Sequence, residues 1–429
     1  MTSIISQSRL YDPSSLEYKK ARRQHVKTTR NRAHDVDENW TPFRTAEKKY
    51  KARFPPPDLS AVVDLSSLAS GAGEAHQVRC ISTKEAAQSE LSGTADIFTL
   101  PAVPGLVLLP SFVSPEDQRR LVRWSLRNHA RHPNETNLDA HYVLPPEGIW
   151  NAHLQSRAEC TRGAIVRTKV SVDNEPLPRI SSPGPRQLIS NDAASADNFH
   201  SMQTLPKIPP DPSTTVSDCL PSELIPKLRW ANIGWSYHWG SKQYDFSKGK
   251  GDVDPRVRDL CKSAVGSVPW EEVYGHDHLE GWGGDDWRMW QDTYEPDAGI
   301  VNFYQTKDTL MAHVDRSEVC ATSPLVSISL GNAAIFLIGG LTRDTEPTPI
   351  LLRSGDVVIM SGPACRRAYH GVPRILENTL PEHFSQAPDH DGDDEGGMED
   401  WELYRDYMQT TRININVRQV FPKGFDPGT

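Results

Sequence analysis

Residues 324–362 read PLVSISLGNAAIFLIGGLTRDTEPTPILLRSGDVVIMSG, and this run of short apolar segments decides the fold. The segments are rich in β-branched residues and bounded by Gly, Pro, Asn or Asp, which is typical of β-strands. The residues Ser354-Gly355-Asp356 predict a hairpin between the last two segments. Two further strand candidates are GIVNFYQ at 299–305 and RININVRQV at 412–420. Short strands at this density predict a mainly β sandwich or jelly roll rather than βαβ units.

The rest of the chain divides by composition. Its 429 residues have a mean hydropathy of −0.56 and include 34 prolines, which indicates irregular segments beside the folded part. We predict four regions. They are a basic, partly disordered arm (1–95), a helical part (96–160) with a helix that Ser114 caps, a disordered Pro/Ser-rich insertion (161–225), and the jelly-roll domain (226–424) with an acidic loop (386–400).

Charge is unevenly distributed along the chain. The formal net charge is −9, but residues 389–400 hold seven acidic residues and no Lys or Arg, so the remaining chain sums to −2. Residues 1–53 carry 13 Lys or Arg against six acidic residues. This excess predicts a contact with RNA or DNA, although solvated helix faces have the same composition.

Cysteine usage and hydropathy exclude several protein classes. The six cysteines are scattered without a C-x-x-C pair, which favours reduced intracellular thiols over a disulfide or zinc framework. The longest apolar run, AAIFLIGGL, is shorter than the roughly 18 residues that a membrane span requires. We therefore expect no contact with membranes. Independently of these features, we expect a monomeric protein.

Residues 308–318, DTLMAHVDRSE, place a histidine and an aspartate two positions apart. Side chains at i and i+2 of an extended chain point the same way, so His313 and Asp315 would share one face. A strand edge with a polar outer face explains this pair equally well. A non-haem iron site needs a second histidine, and His370 follows 57 residues later, after several short strands.

The last strand candidate alternates polar and apolar side chains. Ile413, Ile415 and Val417 would lie on one face and the polar residues on the other. An edge strand with a wet outer face fits this pattern. An interior face with guanidinium groups would instead bind a small dicarboxylate, because Arg binds carboxylates bidentately. The polar residues are Arg412, Asn414, Asn416 and Arg418.

These motifs together resemble the AlkB family of Fe(II)- and 2-oxoglutarate-dependent dioxygenases, closest to its AlkB homologue 1 type. The shared order is NFY at 302–304, HVD at 313–315, a later lone histidine, and the R-x-N strand at 412. The segments LRWANIGWSYHWGSKQYDF, VPRIL and FRTAEKKYKARFPPPDLSAVVDLSS are also similar. The resemblance covers roughly residues 40–145 and 225–422.

The resemblance implies the fold and the site. The fold would be a double-stranded β-helix with flanking helices and a nucleotide-recognition lid at about 230–250. Fe(II) would be held by His313, Asp315 and His370. The co-substrate 2-oxoglutarate would bind Arg412, Asn302, Tyr304 and Asn414, with Arg418 bracing the pocket or facing the substrate. Asn416 departs from the threonine that the family often carries, which puts little in doubt because both side chains are polar and of similar reach.

The resemblance also implies the reaction, in which 2-oxoglutarate and O2 are consumed and an N-methyl group of a nucleic-acid base leaves as formaldehyde. The lid aromatics Trp235 and Tyr237, with Trp239 and Tyr244, are residue types that stack on a base, but they would equally suit the core of a hairpin. Arg316 and Glu318 are candidate substrate contacts. A second pair of histidines, His276 and His278, lies in a Gly/Asp-rich loop that we predict to be surface.

Sequence alone leaves several functions open. The leading hypothesis is demethylation of 1-methyladenine in tRNA, followed by N6-methyladenine in DNA. A lyase acting at abasic DNA sites would need an amine nucleophile rather than iron. A non-catalytic nucleic-acid- or protein-binding module is the alternative from a different class. The basic arm predicts a nuclear and cytoplasmic protein, with the mitochondrion as an alternative.

Overall fold

The computed structural model describes residues 9–29, 39–66, 78–81, 96–172, 192–275, 286–386, 401–425 and 427. The predicted surface pair His276 and His278 and all but the first residue of the acidic loop lie outside these ranges. None of the helices within them is long and apolar enough to cross a lipid bilayer.

The described ranges contain the following strands and helices. The strands are β1 (Val63–Asp64), β2 (Arg79–Cys80), β3 (Phe98–Thr99), β4 (Leu106–Leu109), β5 (Trp230–Gly234), β6 (Tyr237–His238), β7 (Gln243–Tyr244), β8 (Ala298–Gln305), β9 (Leu310–His313), β10 (Leu325–Gly331), β11 (Ala334–Ile338), β12 (Thr348–Leu352), β13 (Val357–Met360), β14 (His370–Ile375) and β15 (Thr411–Arg418). The helices are α1 (Leu16–Thr29), α2 (Pro42–Lys51), α3 (Pro115–Arg123), α4 (Ile149–Ala158), α5 (Lys169–Val172), α6 (Phe199–Gln203), α7 (Pro221–Leu224), α8 (Pro255–Gly266), α9 (Trp270–Tyr274), α10 (Trp290–Thr293), α11 (Gly362–Arg366) and α12 (Trp401–Met408).

Two sheets form the centre of the fold. The smaller has the order β1-β12-β11-β14-β9, and the larger has the order β2-β3-β4-β13-β10-β15-β8-β5. A core of buried aliphatic side chains from both sheets fills the space between them. From β8 to β15 the chain changes sheet at every step except from β11 to β12, and this arrangement is the jelly-roll core that the sequence predicts.

Helices cover the outer faces of both sheets. The outer face of the larger sheet packs on α3, α4, α8 and α12. Helix α3 begins as predicted, with the Ser114 hydroxyl accepting the backbone N–H of Asp117 at 3.1 Å. The outer face of the smaller sheet packs on α2, whose Phe43 is fully buried. Part of the predicted basic arm therefore belongs to the folded body.

The predicted hairpin at Ser354-Gly355-Asp356 is wrong. Strand β12 pairs with β11 in the smaller sheet, whereas β13 pairs with β10 and β4 in the larger sheet. The turn instead carries the chain from one sheet to the other. The Asp356 carboxylate holds it there by accepting the backbone N–H groups of Arg353 (2.7 Å) and Ser111 (2.8 Å).

The predicted disorder of residues 161–225 does not hold for the parts that the structure describes, 161–172 and 192–225. Phe199 is 2% exposed and contacts the rings of Phe246, Phe421 and Phe425. The backbone N–H of Ala194 donates to the Arg316 carbonyl at 2.7 Å. A few buried side chains and backbone hydrogen bonds thus anchor a segment whose average composition is typical of disorder.

Candidate metal and co-substrate site

Three metal-binding side chains converge at one end of the smaller sheet. His313 is the last residue of β9 and pairs directly with His370, the first residue of β14. Asp315 follows two residues after His313, as the sequence predicts. One ligand atom from each residue lies within 4.8 Å of the other two, and His313 Nε2 is 3.6 Å from Asp315 Oδ1. The strand pairing thus brings together residues that lie far apart in sequence.

The backbone orients both imidazole rings. His313 Nδ1 lies 3.1 Å from the Met311 carbonyl, and His370 Nδ1 lies 3.0 Å from the Ala368 carbonyl. Because a carbonyl only accepts hydrogen bonds, Nδ1 carries the proton in each ring and Nε2 keeps its lone pair. Metal-binding histidines are commonly fixed by this kind of hydrogen bond.

The charge states of His370 and Asp315 suit a divalent cation. Burial, followed by the neighbouring His313, lowers the pKa of His370 to about 4. Burial alone would raise the pKa of Asp315, but Arg418 and then the two histidines outweigh it and hold this pKa well below its usual range. At neutral pH, His370 is therefore neutral and Asp315 is ionised, which are the forms that bind metals.

A buried ion-pair network braces the aspartate. Arg418 Nη1 lies 3.3 Å from Asp315 Oδ2 and donates to Glu318 Oε1 at 2.7 Å. Arg366 lies 3.6 Å from the second oxygen of Glu318, and Arg367 donates to the Asp315 carbonyl at 2.6 Å. Of the two roles expected for Arg418, the geometry supports bracing. Glu318, a predicted substrate contact, lines the cavity but is 1% exposed, and its carboxylate pairs with Arg418 and Arg366.

The polar face of β15 points into the same cavity, which has a volume of about 600 Å³. Arg412 is 2% exposed, and its Nη2 donates to Ser329 Oγ at 2.9 Å. Its Nε has no hydrogen-bond partner among the described residues, where no carboxylate lies within ion-pair distance of the guanidinium. Burial lowers the pKa of Arg412 to about 10. An unpaired buried guanidinium beside a cavity is suited to an anionic ligand.

The other predicted co-substrate residues surround this arginine. The Tyr304 ring centroid lies 5.9 Å from the Arg412 guanidinium carbon. Asn414 Nδ2 donates to Ser327 Oγ at 2.8 Å, and Asn414 Oδ1 accepts a hydrogen bond from Asn416 Nδ2 at 3.4 Å. The cavity is lined by Asn302, Tyr304, Asn414, Asn416 and Arg418 as well as Arg412 and the three metal-binding residues. Two histidines and one carboxylate facing a cavity with room for further ligands are the donor set of non-haem Fe(II) oxygenases, so the residues fit the metal.

Comparison with known proteins agrees with this geometry. Residues 177–418 match the family model of the 2OG-Fe(II) oxygenase superfamily, which is more than half of the chain. The chain belongs to the 2OG-Fe(II) oxygenase superfamily. As the family implies, the oxygenase uses Fe(II), 2-oxoglutarate and O2.

Individual relatives narrow this assignment and confirm the resemblance to the AlkB homologue 1 type. The tRNA demethylase abh1 of Schizosaccharomyces pombe is 29% identical over 389 residues, 89% of this chain and 96% of the relative. The DNA N(6)-methyladenine demethylase ALKBH1A of Arabidopsis thaliana is 27% identical over 401 residues, 90% of this chain and 97% of the relative. The nucleic acid dioxygenase ALKBH1 of Homo sapiens is 37% identical over 215 residues, 47% of this chain and 48% of the relative.

The segment predicted as a lid, at about 230–250, contains the β6–β7 hairpin, and its aromatic residues divide into two groups. Tyr237 and Trp239 line the cavity, and Trp239 is 42% exposed while its ring stacks on Trp230 at 5.2 Å. Trp235 is 8% exposed and packs on Phe246 and Phe421 away from the cavity. The prediction that Trp235 contacts the substrate is therefore wrong, because its ring belongs to the core.

Tyr244, the other lid aromatic, is also buried, and its hydroxyl donates to Glu318 Oε1 at 3.2 Å. Arg316, in contrast, lines the cavity as expected. Three other lining residues could not be predicted from the sequence pattern, because they come from loops or from strand ends where side-chain direction follows no period. These residues are Lys242, Arg343 and Tyr369.

Proposed function

We propose that this oxygenase removes N-methyl groups from nucleic-acid bases and that 1-methyladenine in tRNA is its substrate. The observation that carries the proposal is that one cavity contains both the His313, Asp315 and His370 cluster and the unpaired guanidinium of Arg412. A relative named as a tRNA demethylase, similar along 89% of this chain, supports the choice of substrate.

Each part of the cavity has a distinct task in this proposal. His313, Asp315 and His370 would hold Fe(II), which with 2-oxoglutarate and O2 supplies the oxidation that releases the methyl group as formaldehyde. Arg412 would bind the distal carboxylate of 2-oxoglutarate through its paired N–H groups. Arg418 keeps Asp315 ionised and in place.

The cavity mouth is suited to a nucleotide that has left its stack. Trp239 presents an exposed ring there, and aromatic rings stack on bases of any sequence. Lys242 and Arg316 add positive charge beside it, which suits the flanking phosphates. A base in a duplex would have to be flipped into the cavity, whereas a loop nucleotide of RNA is already accessible.

A second candidate substrate is N6-methyladenine in DNA. It is supported by a relative that is named as a demethylase of this base and is similar along 90% of this chain. The two substrates differ in charge, since 1-methyladenine is cationic at neutral pH and N6-methyladenine is neutral. A direct comparison therefore separates them.

The test incubates the purified chain with Fe(II), 2-oxoglutarate and air, with methylated tRNA and N6-methylated DNA in parallel. We expect loss of 1-methyladenine in step with the formation of formaldehyde and succinate, and none with the His313→Ala variant. Loss confined to N6-methyladenine would favour the second candidate. Strand cleavage at abasic sites that survives a metal chelator would indicate a lyase, and binding without any product would indicate a non-catalytic module.

The basic arm provides a further surface for nucleic acid. Helices α1 and α2 line a groove of about 920 Å³. The negative charges of its acidic residues are neutralised by ion pairs, because Glu17 pairs with Arg9 at 3.4 Å and Glu377 pairs with Arg53 at 2.8 Å. Among the residues that the structure describes, no carboxylate lies within ion-pair distance of Lys20 or Lys51, two further cations of the groove. We infer that the groove contacts phosphates away from the reacting base.

We expect the double variant Lys20→Glu and Lys51→Glu to bind unmodified tRNA roughly tenfold more weakly at low salt, because each reversal removes a phosphate contact. The slope of log affinity against log salt should fall by about two. The measurement is a fluorescence anisotropy titration at several salt concentrations. The matched control reverses Arg157 and Arg162, exposed residues that do not line the groove. Equal losses in both double variants would show that only net charge matters.

A further inference from the structure

Strand β9, which carries the metal-binding His313, lies at an edge of the smaller sheet. It is four residues long, and its pairing with β14 is irregular between His370 and Val372. On its other side no strand of the described residues pairs with it. An edge strand leaves backbone N–H and C=O groups without partners, and a short edge strand is held weakly. The position of a metal ligand would therefore depend on whatever replaces the missing strand.

Two side chains take the place of that strand at Ala312, the residue before His313. The carboxylate of Glu47, on α2, accepts the Ala312 backbone N–H at 2.6 Å. Arg343 Nη2 donates to the Ala312 carbonyl at 3.0 Å. Both outward backbone groups of this residue are thus satisfied by charged side chains, and charge-assisted hydrogen bonds are stronger than those between neutral groups.

The two side chains are held as one unit. Glu47 is 4% exposed, and Arg44 neutralises its second oxygen at 3.1 Å. The start of α2 is bonded to the β11–β12 loop, which carries Arg343, because the Phe43 backbone N–H donates to the Arg343 carbonyl at 3.1 Å. The Arg343 guanidinium also lies 5.2 Å from the centre of the Tyr369 ring, next to His370. Helix α2 and the β11–β12 loop therefore bind the edge of β9 as one unit.

Covering a sheet edge with a buried carboxylate costs free energy, because the charge loses its contact with water. Exposed edges are usually protected by lysine, proline or a bulge, and a buried acid needs a partner that offsets its desolvation. Here Glu47 binds the backbone of Ala312, the residue before the metal-binding His313. The His313 ring has only the Met311 carbonyl as a hydrogen-bond partner among the described residues. We propose that Glu47 is a positioning residue for the metal site, because its bond to the Ala312 N–H fixes the end of β9 from which the His313 imidazole projects.

We expect Glu47→Ala to lower the affinity of the metal-free chain for Mn(II) roughly tenfold, in the range seen when groups that orient metal ligands are lost. Mn(II) serves as a redox-stable probe in calorimetric titration without 2-oxoglutarate. The Ala312 amide should also exchange with deuterium faster. Glu47→Gln keeps an oxygen that can accept the same hydrogen bond, so it should recover most of the affinity.

The control variant is Glu377→Gln, which removes a carboxylate that pairs with Arg53 of the arm and Arg374 of β14 and forms no ion pair with β9 among the described residues. Its Mn(II) affinity should equal that of the unaltered chain. An equal loss in this variant, or no loss in Glu47→Ala, would refute the positioning role. If Glu47→Ala does not fold, Glu47→Asp replaces it. This change keeps the charge but shortens the side chain by one methylene, and its Mn(II) affinity is compared with that of Glu377→Gln in the same way.

This inference rests on the proposed function, and the two can fail separately. If the unaltered chain binds no Mn(II), the metal site itself is refuted. If the unaltered chain binds Mn(II) and Glu47→Ala binds it equally well, only the role of Glu47 is refuted.

Discussion

His313→Ala is expected to eliminate turnover and to weaken Mn(II) binding by roughly 100-fold, a loss at the upper end of that caused by disturbing a metal ligand's surroundings. The physical reason is that one of three protein donor atoms disappears, and the remaining two bind a divalent cation more weakly. The side chain is 37% exposed and takes part in no buried ion pair apart from Asp315, so the variant should fold. Formaldehyde release and calorimetric titration measure the two effects.

Asp315→Ala should give the same loss of function for a different structural reason. Its removal also leaves Glu318 as the one carboxylate paired with Arg418 among the described residues, with Arg366 competing for it. Breaking a buried pair costs about 3–5 kcal/mol, so this variant should lose stability as well as metal. Asp344→Asn, which removes an exposed carboxylate outside the cavity lining, is the matched control. Normal turnover by His313→Ala would contradict the assigned site whatever the stability of the aspartate variant.

The sequence predicted those parts of the fold in which local periodicity and packing agree. The alternation along β15 placed Arg412 and Arg418 on one face and Ile413 on the other, and both faces are observed, the apolar one buried against helices. The hairpin at Ser354-Gly355-Asp356 failed because turn chemistry specifies a reversal of direction but not the sheet that each strand joins. Pairing across sheets depends on distant residues such as the Ser111 N–H that Asp356 accepts.

The site residues likewise divide into those that local spacing predicts and those that depend on tertiary contacts. His313 and Asp315 were found from spacing, and His370 was proposed as the third ligand because a later strand had to return to the same end. Glu47 could not be found in this way, because its role arises only from the docking of α2 against β9, 265 residues away along the chain. Trp235 was misassigned because an aromatic residue beside a lid has the same sequence pattern whether it faces the cavity or the core.

Replacing Arg412 is expected to have the second largest effect, and stability and function should change in opposite directions. Arg412→Met should weaken 2-oxoglutarate binding roughly 100-fold, since a bidentate charged contact is lost. Arg412→Lys keeps the charge but lacks the planar fork, so it should recover only part of the affinity. The measurement is calorimetric titration of 2-oxoglutarate into the Mn(II)-loaded chain. Arg374→Met, which removes a buried arginine that does not line the cavity, should leave this affinity unchanged.

The stability of the ligand-free chain should rise in the same Arg412→Met variant. Burial lowers the pKa of Arg412 to about 10, so the folded state carries a charge that it solvates less well than the unfolded state does. An uncharged side chain of similar length removes that cost, and replacing buried ionic groups by well-packed apolar side chains is often neutral or stabilising. Urea denaturation without metal or 2-oxoglutarate measures the change. If the variant is instead less stable, the contacts of the guanidinium with Ser329 and Tyr304 outweigh its desolvation in the free chain, which would contradict its role as a charge left for an anionic co-substrate.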